Sequence, residues 1–188
     1  MAQPDPPDAP APTDAAQRLM HAIGDGDEGR VEAALRDGAS VDTSDSAGFP
    51  VLMLAILIGG RTRIAKLLMA RGADVHRQHP SGGRAVYAAA QVGDAELVAA
   101  LAEAGANVAT PDNNGCTPAY IAAQNGHLEV VRLLAELGAD VNTPKNDGTT
   151  PAYIAALYGH TEVVGRLGEV EGKSEAPGGR RSTKAGTA

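Results

Sequence analysis

The side chains able to do chemistry are few and scattered. The one cysteine, Cys116, follows a turn glycine and has no neighbouring base in sequence to activate it, so it reads as a bland, partly exposed thiol. One cysteine allows no intrachain disulfide and no cysteine cluster for zinc. His76 and His79 stand together on a predicted hairpin and offer two imidazoles. A metal site usually needs three or four protein ligands. His127 and His160 each follow a glycine between two helical segments, where a hydrogen bond at the turn is the expected role. His21 lies in a divergent first segment and reads as a surface or half-buried residue. Asp112, Asp140 and Asp147 sit near turns, and no carboxylate pair is placed for acid–base work. The phosphate-cradling Gly-x-x-x-x-Gly-Lys-Ser/Thr pattern does not occur. No catalytic residue, metal site or cofactor is expected, and the chain does not read as an enzyme.

The elements around these residues are more informative. The chain has 188 residues, room for one ordinary domain. Hydrophobic residues make up 43%, with no Trp and one Phe. A core of Ala, Leu, Val and Ile fits closely stacked helices better than an aromatic-filled sandwich or barrel. The formal net charge of -7 disfavours nucleic acid and anionic membranes as partners. The longest apolar stretch, 49–58, is too short for a bilayer-spanning helix, which needs about 20 residues. Residues 1–13 lack a basic segment followed by an apolar run, so no secretory signal is expected. They are rich in Pro, Ala and Asp and are expected to be a disordered leader. Residues 172–188 are expected to be a disordered basic tail, about +3 against about -10 for the rest.

Between these ends the sequence repeats. From Gly115 it reads GCTPAYIAAQNGHLEVVRLLAELGADVN, and from Gly148 GTTPAYIAALYGHTEVVGRLGEVE. Related units open at Gly82 and Gly48, and a first unit lacks its opening turn. Gly24, Gly59, Gly93, Gly126 and Gly159 fall between paired helical segments, while Gly38, Gly72, Gly105 and Gly138 open a terminal Gly-Ala-x-Val. A near-constant step of 33 residues with this grammar marks a solenoid.

The combination Gly-x-Thr-Pro, Ala-Ala-x-x-Gly-His and Leu-Gly-Ala-Asp-Val-Asn resembles the ankyrin-repeat family, most strongly from Gly115 to His160. The resemblance covers about residues 14–171. It implies an all-α solenoid of helix–turn–helix units joined by hairpin loops. The expected units are about 14–47, 48–81, 82–114, 115–147 and 148–171. Thr117–Pro118 and Thr150–Pro151 should start inner helices sharply, with Thr capping and Pro at the first helical position. Gly48 and Gly82 lack the Thr-Pro pair, so those helices should start less sharply. The family usually has Leu and then His after Thr-Pro, whereas this chain has Ala119–Tyr120 and Ala152–Tyr153. Tyr87, Tyr120 and Tyr153 are expected to form a packing ladder, with a recognition stripe as the alternative. Gly165 and Gly168 weaken the last outer helix by about 1 kcal/mol each. Thr161–Val170 is therefore expected to fray or be only partly helical.

The resemblance also implies where a partner would bind. Family contacts often come from hairpin tips, the residue after the turn glycine and the end of the inner helix. These positions are Ser46, Ala47, Phe49, Leu57 and Ile58 in the first full unit. The next has Pro80, Ser81, Gly83, Gln91 and Val92; the third Asn113, Asn114, Cys116, Gln124 and Asn125. The fourth has Asn146, Asp147, Thr149, Leu157 and Tyr158. This surface is apolar at one end, amide-rich at its centre and aromatic at Tyr158. Phe49, Leu57 and Ile58 either anchor a partner or pack against the first unit or leader. The expected function is a non-catalytic protein–protein interaction module that binds a protein or peptide through its concave face. The alternative is an adaptor that also uses the basic tail. A monomer in the cytoplasm or nucleus is expected, and an interrupted longer array would equally explain the weak last unit.

Overall fold

The computed structural model describes residues 14–58 and 62–174, with side chains placed through residue 169. The predicted leader, Gly59 and the tail from residue 175 lie outside the described residues. Ten helices follow in pairs among the described residues. The inner helices are α1 (Asp14–Asp25), α3 (Val51–Leu57), α5 (Ala85–Val92), α7 (Pro118–Gln124) and α9 (Pro151–Leu157). The outer helices are α2 (Glu28–Arg36), α4 (Thr62–Ala70), α6 (Ala95–Glu103), α8 (Leu128–Glu136) and α10 (Thr161–Ser174). Each inner helix packs on the next inner helix, each outer helix on the next outer one, and each on its own partner.

Side-chain size sets this spacing. Ala88, Ala89, Ala122, Ala123 and Ala155 are wholly buried, which lets the short inner helices approach closely. The outer helices supply the larger volumes through Ile64, Leu68, Leu97, Leu101, Leu134 and Leu167, all buried. Truncating one of these to Ala would cost about 2–5 kcal/mol.

The helix starts follow their sequences. Thr117 Oγ1 accepts from Tyr120 N–H at 3.1 Å, and Thr150 Oγ1 from Tyr153 N–H at 3.1 Å. Pro50 and Arg84, which precede α3 and α5, make no side-chain cap bond. Asp27 and Asp94 cap α2 and α6 by accepting from Arg30 and Leu97 N–H.

Three expectations are corrected. Gly24 lies inside α1, and the turn to α2 is made by Gly26, whose φ of 74° takes the left-handed conformation. The helix α10 is unbroken through Gly165 and Gly168, because Val163 and Leu167 are buried against α8 and α9 and hold it there. It also runs to Ser174, three residues into the segment assigned to the tail.

Candidate interaction surface

Neighbouring units are joined by a repeated set of polar bonds. His127 Nε2 lies 3.0 Å from the Gln91 carbonyl oxygen, and His160 Nε2 lies 3.0 Å from that of Gln124. Asn125 Nδ2 donates to the same Gln91 carbonyl at 2.9 Å. Each imidazole therefore bonds back to the preceding unit, beyond the turn where sequence placed it. The ring of His127 also covers Gly93: a Cβ there would lie 2.5 Å from Nδ1.

The hairpins repeat the same logic. Backbone N–H groups of Asp45, His79, Asp112 and Lys145 donate across their turns to Phe49, Gly83, Cys116 and Thr149 carbonyls. Asn113 then reaches back a whole unit, its N–H donating to Ser81 O and its Nδ2 to Pro80 O, both at 2.9 Å. Asn146 repeats this against Asn114 O at 3.1 Å and Asn113 O at 3.3 Å. These two amides join tip to tip, so the scaffold uses much of their bonding capacity. Ser46 and Asn114 remain exposed beside them. Phe49 is half-buried and stacks on His79 with ring centroids 3.8 Å apart. Its neighbour is thus the next hairpin, and neither the first unit nor the leader is needed to explain its packing.

One cluster of ionisable groups lies where the third and fourth hairpins meet the inner helices. Burial, with smaller contributions from Cys116, Asp112 and Tyr120, pushes the Tyr87 phenol up to about 12. Burial and the Asp112 carboxylate push the Cys116 thiol up as well. A raised thiol pKa means little thiolate at neutral pH, which agrees with an inert cysteine. Thr149 hydrogen bonds and the ammonium of Lys145, 3.0 Å away, hold Asp147 well below the usual carboxylate range. No reacting constellation results. Among the described residues, no group of three or more His, Cys, Asp or Glu side chains is placed to hold a metal ion.

The inner-helix face has a different character. The helices α3, α5, α7 and α9 contain no Asp, Glu, Lys, Arg or His at all, whereas α4, α6, α8 and α10 each carry at least two charged residues. Ile58, Val92, Asn125 and Tyr158 occupy one repeated position on this uncharged face. Three of them are large, apolar and exposed: Ile58 at 45%, Val92 at 37% and Tyr158 at 58%. The adjacent row is Leu57, Gln91, Gln124 and Leu157. Leu57 and Gln124 are half-buried, Gln91 is exposed, and Leu157 is the most open at 64%.

Comparing repeats separates two surfaces that meet on α9. Tyr120 is 3% exposed and Ala123 is buried because α9 lies over them. Their equivalents Tyr153, at 62%, and Ala156 are exposed because no described helix lies beyond α9. Val92 and Asn125, equivalent to Tyr158, stay exposed even with a neighbouring unit stacked beside them, and so does Gln91, equivalent to Leu157, while Leu57 and Gln124 at that same position are half-buried. Tyr158 thus belongs to the inner-helix face itself, Leu157 to its border with the stacking face, and Tyr153 to the stacking face. Sequence had placed Tyr153 in the packing ladder with Tyr87 and Tyr120. Its position as the last member of a periodic row was the available signal that it would be uncovered.

A stack of paired helices whose polar groups close unit upon unit, and whose inner helices α3, α5, α7 and α9 carry no charge, defines a repeat scaffold. The protein-family model for ankyrin repeats, built of 3 copies, matches residues 52–145 and 85–174. The chain belongs to the ankyrin-repeat family, whose members are generally protein–protein interaction modules and typically non-catalytic. No curated protein matches the chain. No described helix is long and apolar enough to cross a membrane.

Proposed function

We propose that the protein acts by binding and not by catalysis, taking a protein or peptide partner on its concave inner-helix face. The observation that carries this reading is the uncharged inner-helix face with Ile58, Val92, Leu157 and Tyr158 exposed on it. Water gains most when such side chains are covered, and exposed aromatic and large apolar groups are the usual anchors of interfaces. The main anchor is Leu157 with Tyr158, since both stay largely open even with His160 beside the Tyr158 ring at 6.4 Å, whereas Phe49 is half-buried and closely stacked on His79. Gln91 and Gln124 supply hydrogen-bonding capacity between the apolar ends. A monomer suffices for this role, because each unit needs only its neighbours.

The test is a pull-down with the intact chain beside a Leu157→Asp, Tyr158→Asp variant, both shown to melt alike. Leu157 and Tyr158 are exposed, so the variant is expected to keep its fold while a partner held by the intact chain falls by at least tenfold. Equal retention by both chains would remove the inner-helix face as the binding surface.

A further inference from the structure

Each boundary in the stack shows what covers the face that one unit turns to the next. Over the hairpin glycines lies the tip of the following unit: a Cβ at Gly48, Gly82 or Gly115 would meet Pro80, Asn113 or Asn146 within 2.8 Å. Over Gly93 and Gly126 lie the rings of His127 and His160, each 2.5 Å from a Cβ position. Those imidazoles donate to the carbonyls of Gln91 and Gln124. Between the two rows the contact is apolar. Tyr120 is 3% exposed there, and Ala123 and Val131 are wholly buried beneath α9 and α10.

The last unit carries the receiving side of these contacts. Among the described residues, nothing lies within 4 Å of a Cβ position at Gly148 or Gly159. Tyr153 is 62% exposed, Ala156 is exposed and Val164 is half-buried, at the positions of Tyr120, Ala123 and Val131. Asn142 adds an independent polar signal. It occupies the repeat position of Asp42, whose Oδ1 accepts from Asp74 N–H of the following unit at 2.9 Å. Asn142 Oδ1 is buried and has no hydrogen-bond partner among the described residues. A buried acceptor without a donor is costly, and a following unit would bring the donor.

The face therefore specifies its occupant. It calls for an imidazole N–H above the turn, a carboxamide above the hairpin and a backbone N–H at Asn142, all in the register of one repeat. A lipid surface or a plain apolar cluster would cover Tyr153 and leave Asn142 without a donor. Residues 175–188 contain neither His nor Asn. The first unit of a second copy has Asp27 at the N-cap where α8 has His127, and a carboxylate has no proton to donate.

We propose that the face formed by α9 and α10 docks an ankyrin-type helix pair of another polypeptide, its imidazole over Gly159, its tip carboxamide over Gly148 and a backbone N–H on Asn142 Oδ1. The contact continues an interface that the structure already repeats between its units. Docking buries Tyr153 as α9 buries Tyr120. It also extends the inner-helix face beyond Tyr158, so that two chains share one concave surface.

The probe is a 33-residue synthetic peptide copying residues 109–141, which carries Asn113, Asn125, His127 and Asp140 on one unit. It is added to nitrogen-15-labelled full-length protein, up to about 1 mM, a range that detects even weak complexes. The amide signals of Gly148, Tyr153 and Gly159 should move saturably, while those of Gly93 and Gly126 stay fixed. A peptide with His127→Ala should bind about tenfold more weakly, as loss of one buried hydrogen bond with its packing implies. A Tyr153→Asp chain, substituted at an exposed site and shown to melt like the parent, should not respond. Still signals at Gly148 and Gly159 would overturn the proposal, as would equal binding of the His127→Ala peptide. So would movement centred on Gly93 and Gly126, which would mean that the peptide displaces an internal unit. Shifts that appear without peptide as protein concentration rises, with a doubled mass in light scattering, would assign the face to a second copy instead. The experiment needs no concave-face partner, so it stands or falls apart from the binding role.

Discussion

His127 shows how one residue fixes the identity of another. Its imidazole bonds back to Gln91 and lies against Gly93, which has a φ of 81°. Gly105 has a similar φ of 87° but no atom within 4 Å of a Cβ position. Gly105→Ala therefore carries only backbone strain of about 1 kcal/mol. Gly93→Ala adds a clash with a ring that is itself tied down, and its loss should be at least twice as large. Urea denaturation of the two variants measures the difference, and equal losses would show that the ring moves aside freely. The bond behind this was only half legible. Gly-His was visible as a pair at the turn, but the acceptor lies 36 residues upstream in sequence, and no local pattern names it. The reading of Cys116 as a plain thiol was legible in the lack of a base beside it in sequence; the Lys145 ammonium that the fold brings near is outweighed by burial and by Asp112, which push the thiol up.

Elements were the most legible scale, since caps and periodicity are local. Thr-Pro started α7 and α9 as expected, and its absence left α3 and α5 without side-chain caps. The forecast failed for α10 because it used propensity alone. Two glycines lower helix stability, but Val163 and Leu167 bury against neighbours and contribute more than the glycines remove. Both glycines still carry an avoidable entropy cost, and a Cβ at either position meets nothing within 4 Å. Gly165→Ala and Gly168→Ala should each stabilise the protein by about 0.5–1 kcal/mol. Thermal melts read this directly; an unchanged or lower midpoint would mean that α10 needs the bare backbone at these sites. The candidate site followed the same division. Inner-helix ends were named from the repeat grammar, and Leu157 and Tyr158 are open. Tyr153 was misplaced because its surroundings depend on which unit lies next to it, and the same dependence brings His79 against Phe49. Such adjacency is a fact of the stack and not of the local sequence.

For the whole molecule, burial inside the stack couples stability to alkaline pH. The Tyr87 phenol titrates at about 12 in the folded chain, against about 10 when unfolded. The unfolded chain thus loses this proton first as pH rises. Its contribution is complete below about pH 10 and is lost as pH climbs toward 12. Melting temperatures should fall across that window, and Tyr87→Phe should flatten the fall. A parallel decline in the variant would place the sensitivity elsewhere. The polar ladder has a mechanical consequence as well. His160 joins only to Gln124, and Asn146 only to the tip before it. Among the described residues every such rung spans one boundary, so none of these bonds carries load past the adjacent unit. Under tension from its two ends the molecule would behave as links in series, giving way one at a time. The outermost link, held from one side, would part first, and after each release the units behind it would still be whole and able to recapture it.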